Sequence, residues 1–70
     1  MLSEEQLKNE FTYHSPKENQ PERYQLIRDK ALELALVIFH NTPSCADQTA
    51  AIRKLRECVM TANSAIACNE

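Results

Sequence analysis

The residues best suited to chemistry lie near the start of the chain, where flat rings precede a run of cations. In chain order they are Phe11, Tyr13, His14, Arg23, Arg28 and Lys30. A tyrosine ring offers a face on which a nucleobase can stack, which contributes about 1–3 kcal/mol per base. Arginine and lysine side chains are the usual partners of phosphate groups. The pattern indicates a site for a small anionic ligand with flat rings.

The arrangement of these residues also leaves more ordinary roles open. A single aromatic residue in a connecting segment usually packs into the core, and we expect this of Phe11. Arg28 follows Tyr24 by four residues, which places its guanidinium beside the phenol ring. Arg28 and Lys30 project about 200° apart around a helix. One helix therefore cannot direct both cations to one point, and another segment or another chain has to contribute.

Catalytic and metal-binding patterns are poorly supported. The acidic residues are scattered singly, and neither His14 nor His40 has a serine or cysteine partner at a motif spacing. His40 and Cys45 flank a predicted turn, but two ligands are too few for a metal site. The chain has no glycine, which removes the glycine-rich loops that bind phosphates. We expect no catalysis, no metal and no cofactor.

Composition narrows the class of partner. Eight basic and ten acidic residues give a net charge of −2, whereas domains that bind DNA or long RNA are usually basic. Cys45, Cys58 and Cys68 are odd in number and lack C-x-x-C spacing, so neither a disulfide framework nor a zinc site is implied. The chain has no apolar run of about 18 residues, and its first residues are too polar for a signal peptide. A soluble intracellular protein without a membrane partner is expected.

The elements that must position these residues begin with a short helix in residues 1–10. Ser3 and Gln6 form a capping box, and Leu2 and Leu7 are spaced as a hydrophobic staple, which predicts a helix over residues 3–10. Residues 11–20 contain Pro16 and read as an extended connector that contributes to the ligand pocket.

Residues 21–70 read as an antiparallel hairpin of two helices. Pro21 suits the first position of the first helix, and the segment 41–44 ends that helix near His40. Ser44 can cap the second helix, which has Asp47 in its first turn. Apolar residues recur at alternating spacings of three and four in both helices. The two stripes are Tyr24, Ile27, Ala31, Leu34 and Ile38, then Ile52, Leu55, Val59, Ala62 and Ile66.

A second set of small or apolar residues lies outside these stripes and consists of Leu32, Leu36, Val37, Phe39, Ala51, Cys58 and Ala65. One hairpin partner can cover only one stripe of each helix. The remaining surface either packs under the N-terminal segment or is covered by other copies of the chain. We favour the second option, which predicts an all-α fold that assembles into a helical homo-oligomer.

Three stretches resemble a known family. They are F-x-Y-H-x-P at 11–16, E-R-Y-x-x-I-R at 22–28 and KLRECVMTANSAIACNE at 54–70. They resemble the small phage proteins, helical-hairpin sponges, that counter bacterial CBASS and Thoeris immunity. The similarity covers about residues 11–70, and the C-terminal stretch is its most specific part.

The resemblance implies sequestration without cleavage. Members of the family assemble, typically as hexamers, and hold cyclic oligonucleotides or cyclic ADP-ribose derivatives between protomers. Tyr13 matches the aromatic residue that stacks on the bases of a cyclic dinucleotide, and Lys30, or else Arg28, matches the basic residue that reaches its phosphates. Asn63 also matches the family pattern. The full predicted ligand-binding set is Tyr13, Lys30, Arg28, His14, Phe11, Arg23 and Asn63.

The sequence departs from the family pattern at two positions. Thr61 stands where the family often has tryptophan, and Cys68 stands where it often has arginine. Losing an aromatic residue and a cation puts the family's separate cyclic trinucleotide site in doubt. The function expected is a non-catalytic sponge for cyclic dinucleotides such as cGAMP, with cyclic trinucleotides as a further class, acting in the cytoplasm of the infected bacterium to block CBASS signalling.

Three alternatives remain open at this point. In the first, the chain is still a sponge, but its ligand is a cyclic ADP-ribose isomer, the signal used by Thoeris. The chain is instead a dimeric hairpin that binds RNA through Arg53, Lys54 and Arg56, with an affinity that falls steeply with salt. Or its exposed apolar face binds a helix of a host protein, with no small ligand.

Overall fold

The computed structural model describes residues 2–70, which form three α-helices and no strand. The helices are α1 (Glu4–Glu10), α2 (Gln20–Asn41) and α3 (Ala46–Asn69). A four-residue turn joins α2 to α3, and the two helices pack on each other as a hairpin. The predicted all-α hairpin is therefore confirmed. Within residues 2–70, no helix is long and apolar enough to cross a bilayer.

Helix α1 begins at the predicted cap. The backbone N–H of Gln6 donates to Ser3 Oγ over 3.1 Å, which satisfies one of the free donors of the first turn. At the other end, the N–H of Phe11 donates to the Leu7 carbonyl over 3.0 Å. Leu2 and Leu7, spaced as a staple, are both exposed.

Helix α2 begins at Gln20, one residue before the predicted start at Pro21. Proline lacks an N–H, so a place in the first turn costs no hydrogen bond. At the C-terminal end, side chains bond the last carbonyls: Asn41 Nδ2 donates to Val37 O and Thr42 Oγ1 to Ile38 O, each over 2.7 Å. The Ile38 carbonyl is one of the last four of the helix, which the helix itself leaves free, so the Thr42 bond satisfies an otherwise free acceptor.

Helix α3 starts one residue later than the sequence predicts. Its N-cap is Cys45, in an extended conformation, and no side chain caps the first turn. The prediction that Ser44 caps this helix is therefore wrong, because Ser44 lies one position too early. Gln48 fastens the turn instead, since its Nε2 donates to the carbonyl oxygens of Phe39 and Thr42, each over 3.2 Å.

The predicted stripes pack between α2 and α3 with one exchange. Leu34 is 49% exposed, whereas Ala35 is half-buried, so the prediction of Leu34 in the stripe is wrong. The spacing after Ala31 is four rather than three, which keeps the small Ala35 on the side that faces α3. The half-buried stripes are Tyr24, Ile27, Ala31, Ala35 and Ile38 on α2, and Ile52, Leu55, Val59, Ala62 and Ile66 on α3.

The N-terminal helix packs on the C-terminal part of α3, where Asn9 Nδ2 donates to the Cys68 carbonyl over 2.8 Å. It leaves the second apolar set of α2 open to solvent. Leu32, Leu36, Val37 and Phe39 are each between 48% and 60% exposed. The alternative in which the N-terminal segment covers these residues is wrong.

A single chain leaves much surface unburied. Its accessible area is 5849 Å², against about 4,500 Å² for a folded monomer of 8.0 kDa. Its radius of gyration is 15.1 Å, against about 11 Å for a compact chain of this length. None of the apolar residues among 2–70 is fully buried. The hairpin is elongated, and its apolar faces are only half covered.

Candidate ligand-binding groove

A shallow, open groove of about 380 Å³ runs between α2, α3 and the connector, and we call it the polar groove. It brings together three of the residues that the sequence predicts for ligand binding: His14, Arg28 and Asn63. The complete lining is His14, Tyr24, Arg28, Met60, Asn63, Ser64 and Ala67.

Helical spacing explains how the two long helices line the groove. Tyr24 and Arg28 are four residues apart on α2, and Met60, Ser64 and Ala67 follow the same three-four alternation on α3. Each helix therefore presents one continuous strip of side chains to the groove.

His14 belongs to the connector and lines the groove, and a hydrogen bond to the backbone fixes its ring. Its Nε2 lies 2.8 Å from the carbonyl oxygen of Asn9. A carbonyl oxygen only accepts, so Nε2 carries the proton and donates. In the neutral ring Nδ1 is then an acceptor, available to an N–H or O–H group of a ligand.

Arg28 supplies positive charge to the polar groove. Its Nη2 donates to Gln25 Oε1 over 3.3 Å, and no carboxylate in the described part of the chain forms a salt bridge with it. An arginine without an acidic partner keeps its charge available to an anion.

Asn63 supplies an acceptor that lacks a donor. Its Oδ1 is enclosed, and no group within residues 2–70 donates to it. A buried oxygen without a hydrogen bond is unfavourable, and nearly all such oxygens in folded proteins have a partner. Because this oxygen is enclosed, a ligand reaches it only if the Asn63 side chain turns toward the groove.

Tyr13 lies in a neighbouring cavity of about 350 Å³, between the connector and the last turn of α3. Its ring is 81% exposed, so one flat face is free to stack. His14 and Ala67 line both this cavity and the polar groove, so the two spaces adjoin. The lining is Asn9, Tyr13, His14, Ser15, Lys17, Gln20, Ala67, Cys68 and Glu70.

Lys30 and Phe11 are predicted ligand-binding residues that lie away from the groove. Lys30 is largely exposed and pairs with Glu33 over 3.2 Å, so a single chain does not join it to Arg28. Phe11 is 86% exposed, and the expectation that it packs into the core is wrong for this chain. The backbone of Phe11 ends α1, while α1 contacts α3 through Asn9, which leaves the phenyl ring without a packing partner.

Arg23 is already engaged by a carboxylate. Its guanidinium binds Glu70 with two hydrogen bonds, Nη1 to Oε2 over 2.9 Å and Nη2 to Oε1. The bond from Arg23, followed by one from Gln20, lowers the pKa of Glu70, and the bond to Glu70 raises the pKa of Arg23. Arg23 therefore joins the ends of the hairpin, and it does not line the polar groove.

The three basic residues Arg53, Lys54 and Arg56 of α3 do not all line the same cavity. Arg53 and Arg56 line a separate cavity of about 350 Å³ together with Phe39, near the turn, whereas Lys54 does not. The Phe39 ring meets the His40 ring edge to face, with centroids 5.2 Å apart. Within the described chain, no three histidine, cysteine or acidic side chains gather as a metal site would require.

Thr61 and Cys68, the two departures from the family pattern, line one further cavity between α1 and α3. Thr61 Oγ1 donates to the Glu57 carbonyl over 2.9 Å. The only ionisable acid or base in the lining of this cavity is Glu10, apart from the thiol of Cys68. A second anionic ligand would find no lysine or arginine there.

Sequence reasoning missed Tyr24 and Ser64 as groove residues, and Gln20 and Glu70 as partners of the connector. The spacing predicts Tyr24 as part of the packing stripe. Because Tyr24 is half-buried, it packs between the helices and also lines the groove. No local pattern links Gln20 to Glu70, because 50 residues separate them.

Comparison with known proteins identifies a family for this chain. The family model described as Acb2/Tad1, hairpin domain, matches residues 3–67. Neither a search of curated proteins nor a search of solved structures found a match. The matched family consists of sponges that bind cyclic oligonucleotide signals, and it is not a known enzyme family. The chain therefore belongs to the Acb2/Tad1 hairpin family, the phage sponges directed against CBASS and Thoeris immunity.

Proposed function

We propose that this chain is a non-catalytic sponge for cyclic dinucleotides such as cGAMP and that it blocks CBASS signalling in the cytoplasm of the infected bacterium. The observation that carries the proposal is the convergence of His14, Arg28 and Asn63 on one groove beside the exposed ring of Tyr13. Family membership supports sequestration of cyclic nucleotide signals, and the groove supports the narrower ligand class.

The groove offers each group that a cyclic dinucleotide requires. Tyr13 provides a stacking face for a base, and Arg28 provides charge for a phosphate. His14 Nδ1 accepts a hydrogen bond from a base edge or a ribose hydroxyl group. Binding of this kind depends on preformed groups and requires no bond to be broken.

A second copy of the chain is proposed to complete the site. The polar groove shares Arg28 and Met60 with an apolar groove of about 300 Å³, which continues along the hairpin. That apolar groove is bordered by Leu32, which is 60% exposed. A copy that covers it would also form a wall of the polar groove. A residue such as Lys30, on another face of α2, would then reach the ligand of a neighbouring copy.

Cyclic dinucleotides are favoured over trinucleotides by the charge of the other cavity. The cavity that holds Thr61 and Cys68 is lined by Glu10 and by no lysine or arginine. A carboxylate repels phosphates, and no arginine offsets it. We therefore propose that the chain lacks the family's separate trinucleotide site.

Isothermal titration calorimetry of the purified protein tests the proposal. The panel contains cyclic dinucleotides, cyclic trinucleotides and cyclic ADP-ribose isomers, and the bound ligand is released by heat and identified by mass spectrometry. We expect tight binding of a cyclic dinucleotide and recovery of the intact molecule. Recovery of a cleaved ligand would make the chain an enzyme and contradict the proposal.

The same titration distinguishes the proposed function from the alternatives. Binding of a cyclic ADP-ribose isomer alone would assign the chain to the Thoeris branch. Absence of binding across the panel would reject the sponge. An affinity for RNA that falls steeply with salt would then favour the hairpin as an RNA-binding module that uses Arg53, Lys54 and Arg56.

A further inference from the structure

The connector that carries Tyr13 is held by a polar cluster at the end of the hairpin, which we call the terminal lock. The lock consists of Lys17, Gln20, Arg23 and Glu70. Gln20 is 3% exposed, and it is the only buried residue among residues 2–70. A buried amide in a chain without a buried apolar core points to a specific role for its hydrogen bonds.

Gln20 links the connector to the last residue of the described chain. Its Oε1 accepts from the backbone N–H of Lys17 over 3.2 Å, and its Nε2 donates to Glu70 Oε1 over 3.3 Å. The backbone N–H of Gln20 also donates to the Lys17 carbonyl over 3.0 Å. One side chain thus closes the end of the connector and fastens it to α3.

Glu70 is the centre of the lock. Its carboxylate accepts two hydrogen bonds from Arg23 and one from Gln20, and its backbone oxygen accepts from Lys17 Nζ over 3.0 Å. Arg23 and Gln20 belong to the first turn of α2, and Lys17 belongs to the connector. Glu70 therefore bonds the connector and α2 at once.

The other end of the connector is fastened to the same turn of α3. Asn9 donates to the Cys68 carbonyl, and the Asn9 carbonyl accepts from His14 Nε2. Tyr13 lies between these two points of attachment, and its own ring is 81% exposed. Polar bonds, rather than burial of the ring, determine where Tyr13 is placed.

We propose that Gln20 and Glu70 are positioning residues for ligand capture: they hold the connector so that Tyr13 and His14 stay at the mouth of the polar groove. Both residues line the cavity that holds Tyr13, and the role proposed for them acts through the connector. This inference depends on the proposed function, because it assumes a cyclic nucleotide in the groove. A connector that is already ordered has less freedom to lose on binding, which increases affinity.

The decisive variant is Glu70→Gln, which keeps the shape of the side chain and removes its charge. The matched control is Glu57→Gln, the same change on an exposed residue of α3. Two measurements are made: hydrogen–deuterium exchange of residues 11–19 in the free protein, and affinity for the cyclic dinucleotide of the panel that the wild type binds. Thermal unfolding and light scattering monitor stability and assembly.

We expect Glu70→Gln to speed exchange in the connector and to weaken binding by about tenfold, with assembly unchanged. Glu57→Gln should match the wild type in both. The double variant Arg23→Glu with Glu70→Arg reverses the ion pair but gives Gln20 Nε2 no acceptor at position 70. It should therefore restore slow exchange and affinity only in part, measured against Glu70→Arg alone. Gln20→Ala gives a second test in case Glu70→Gln does not fold, and it should also loosen the connector.

The outcomes separate the lock from the proposed function. Unchanged exchange in Glu70→Gln and Gln20→Ala would overturn the lock, whatever happens to affinity. Faster exchange with unchanged affinity would overturn the positioning role. If the wild type binds no member of the panel, the proposed function fails and the positioning role fails with it, while exchange still decides whether the lock holds the connector.

Discussion

Tyr13 contributes a ring that the fold leaves free. At 81% exposure it adds little to the packing of the single chain, and its neighbour His14 turns toward the groove. An exposed aromatic residue beside a groove with an arginine is typical of a site that stacks on a base.

Replacing Tyr13 by alanine should weaken binding of the cyclic dinucleotide by about 5- to 150-fold, which corresponds to the loss of about 1–3 kcal/mol of stacking. Tyr13→Phe keeps the ring and should retain most of the affinity. Calorimetry measures both, and light scattering should give the wild-type mass for both. Wild-type affinity in Tyr13→Ala would show that this residue does not contact the ligand.

At the scale of elements, the connector contains one residue with an unfavourable backbone conformation. Glu18 has φ of 53°, in the left-handed region, just before α2 begins. Residues with a β-carbon are destabilised there, and asparagine tolerates the region better than glutamate. The left-handed conformation of Glu18 is therefore unfavourable in free energy, and the hydrogen bonds between Lys17 and Gln20 on either side of it offset this.

Glu18→Asn should raise the free energy of unfolding by about 0.5–1 kcal/mol, because asparagine adopts this conformation more easily. Glu18→Val should lower it, since a β-branched residue fits the left-handed region poorly. Urea unfolding at one fixed protein concentration compares the two with the wild type. Equal stability of both variants would mean that the turn does not hold residue 18 in this conformation.

The terminal lock predicts a dependence of stability on pH. Hydrogen bonds from Arg23 and Gln20 lower the pKa of Glu70 in the folded chain. A lowered folded pKa means that the stabilisation is complete above the ordinary pKa of a glutamate, about 4.3, and is lost as the pH falls through the lowered value. Arg23 stays protonated throughout this range.

Urea unfolding of wild type and Glu70→Gln from about pH 7 down to about pH 3 isolates this contribution. The wild type should be the more stable at neutral pH, and the difference should shrink in the acid range. A difference that stays constant down to the lowest pH would mean that the Glu70 carboxylate is not the group that titrates.

The molecule as a whole exposes apolar side chains on both α2 and α3. Leu32 and Met60 border the apolar groove and are 60% and 66% exposed, while Leu26 and Val37 are also open to solvent. The chain has about 1,400 Å² more accessible area than its mass predicts for a monomer. Association of copies would bury this surface and stabilise a hairpin that has no fully buried apolar residue in its described part.

Leu32→Asp should reduce the mass of the assembly measured by light scattering, because burying a carboxylate without a partner is costly. Affinity for the ligand should fall with it if a neighbouring copy completes the groove. Lys54→Asp places the same carboxylate on an exposed polar site of α3 and should keep the wild-type mass. A wild-type protein that is monomeric at working concentration would contradict the association itself.

The helices and most of the contacts between them follow from local signals in the sequence. Ser3 caps α1 through a bond to the third residue after it, and the stripe from Ile52 to Ile66 packs as its spacing predicts. Such signals are local, because a cap or a helical repeat depends on residues within a turn or two. Spacing alone placed Leu34 in the stripe of α2, where the structure has Ala35, the next residue along the chain.

Which of the ring and cation residues meet depends on how the helices pack. It joins His14 and Arg28 to Asn63 across the hairpin, it leaves Lys30 on another face, and it engages Arg23 with Glu70. Pairings between residues about 50 positions apart leave no mark in local periodicity, since they depend on how α3 returns along α2. The physical chemistry of each side chain is readable in the sequence, and its partner is decided by the packing of the helices.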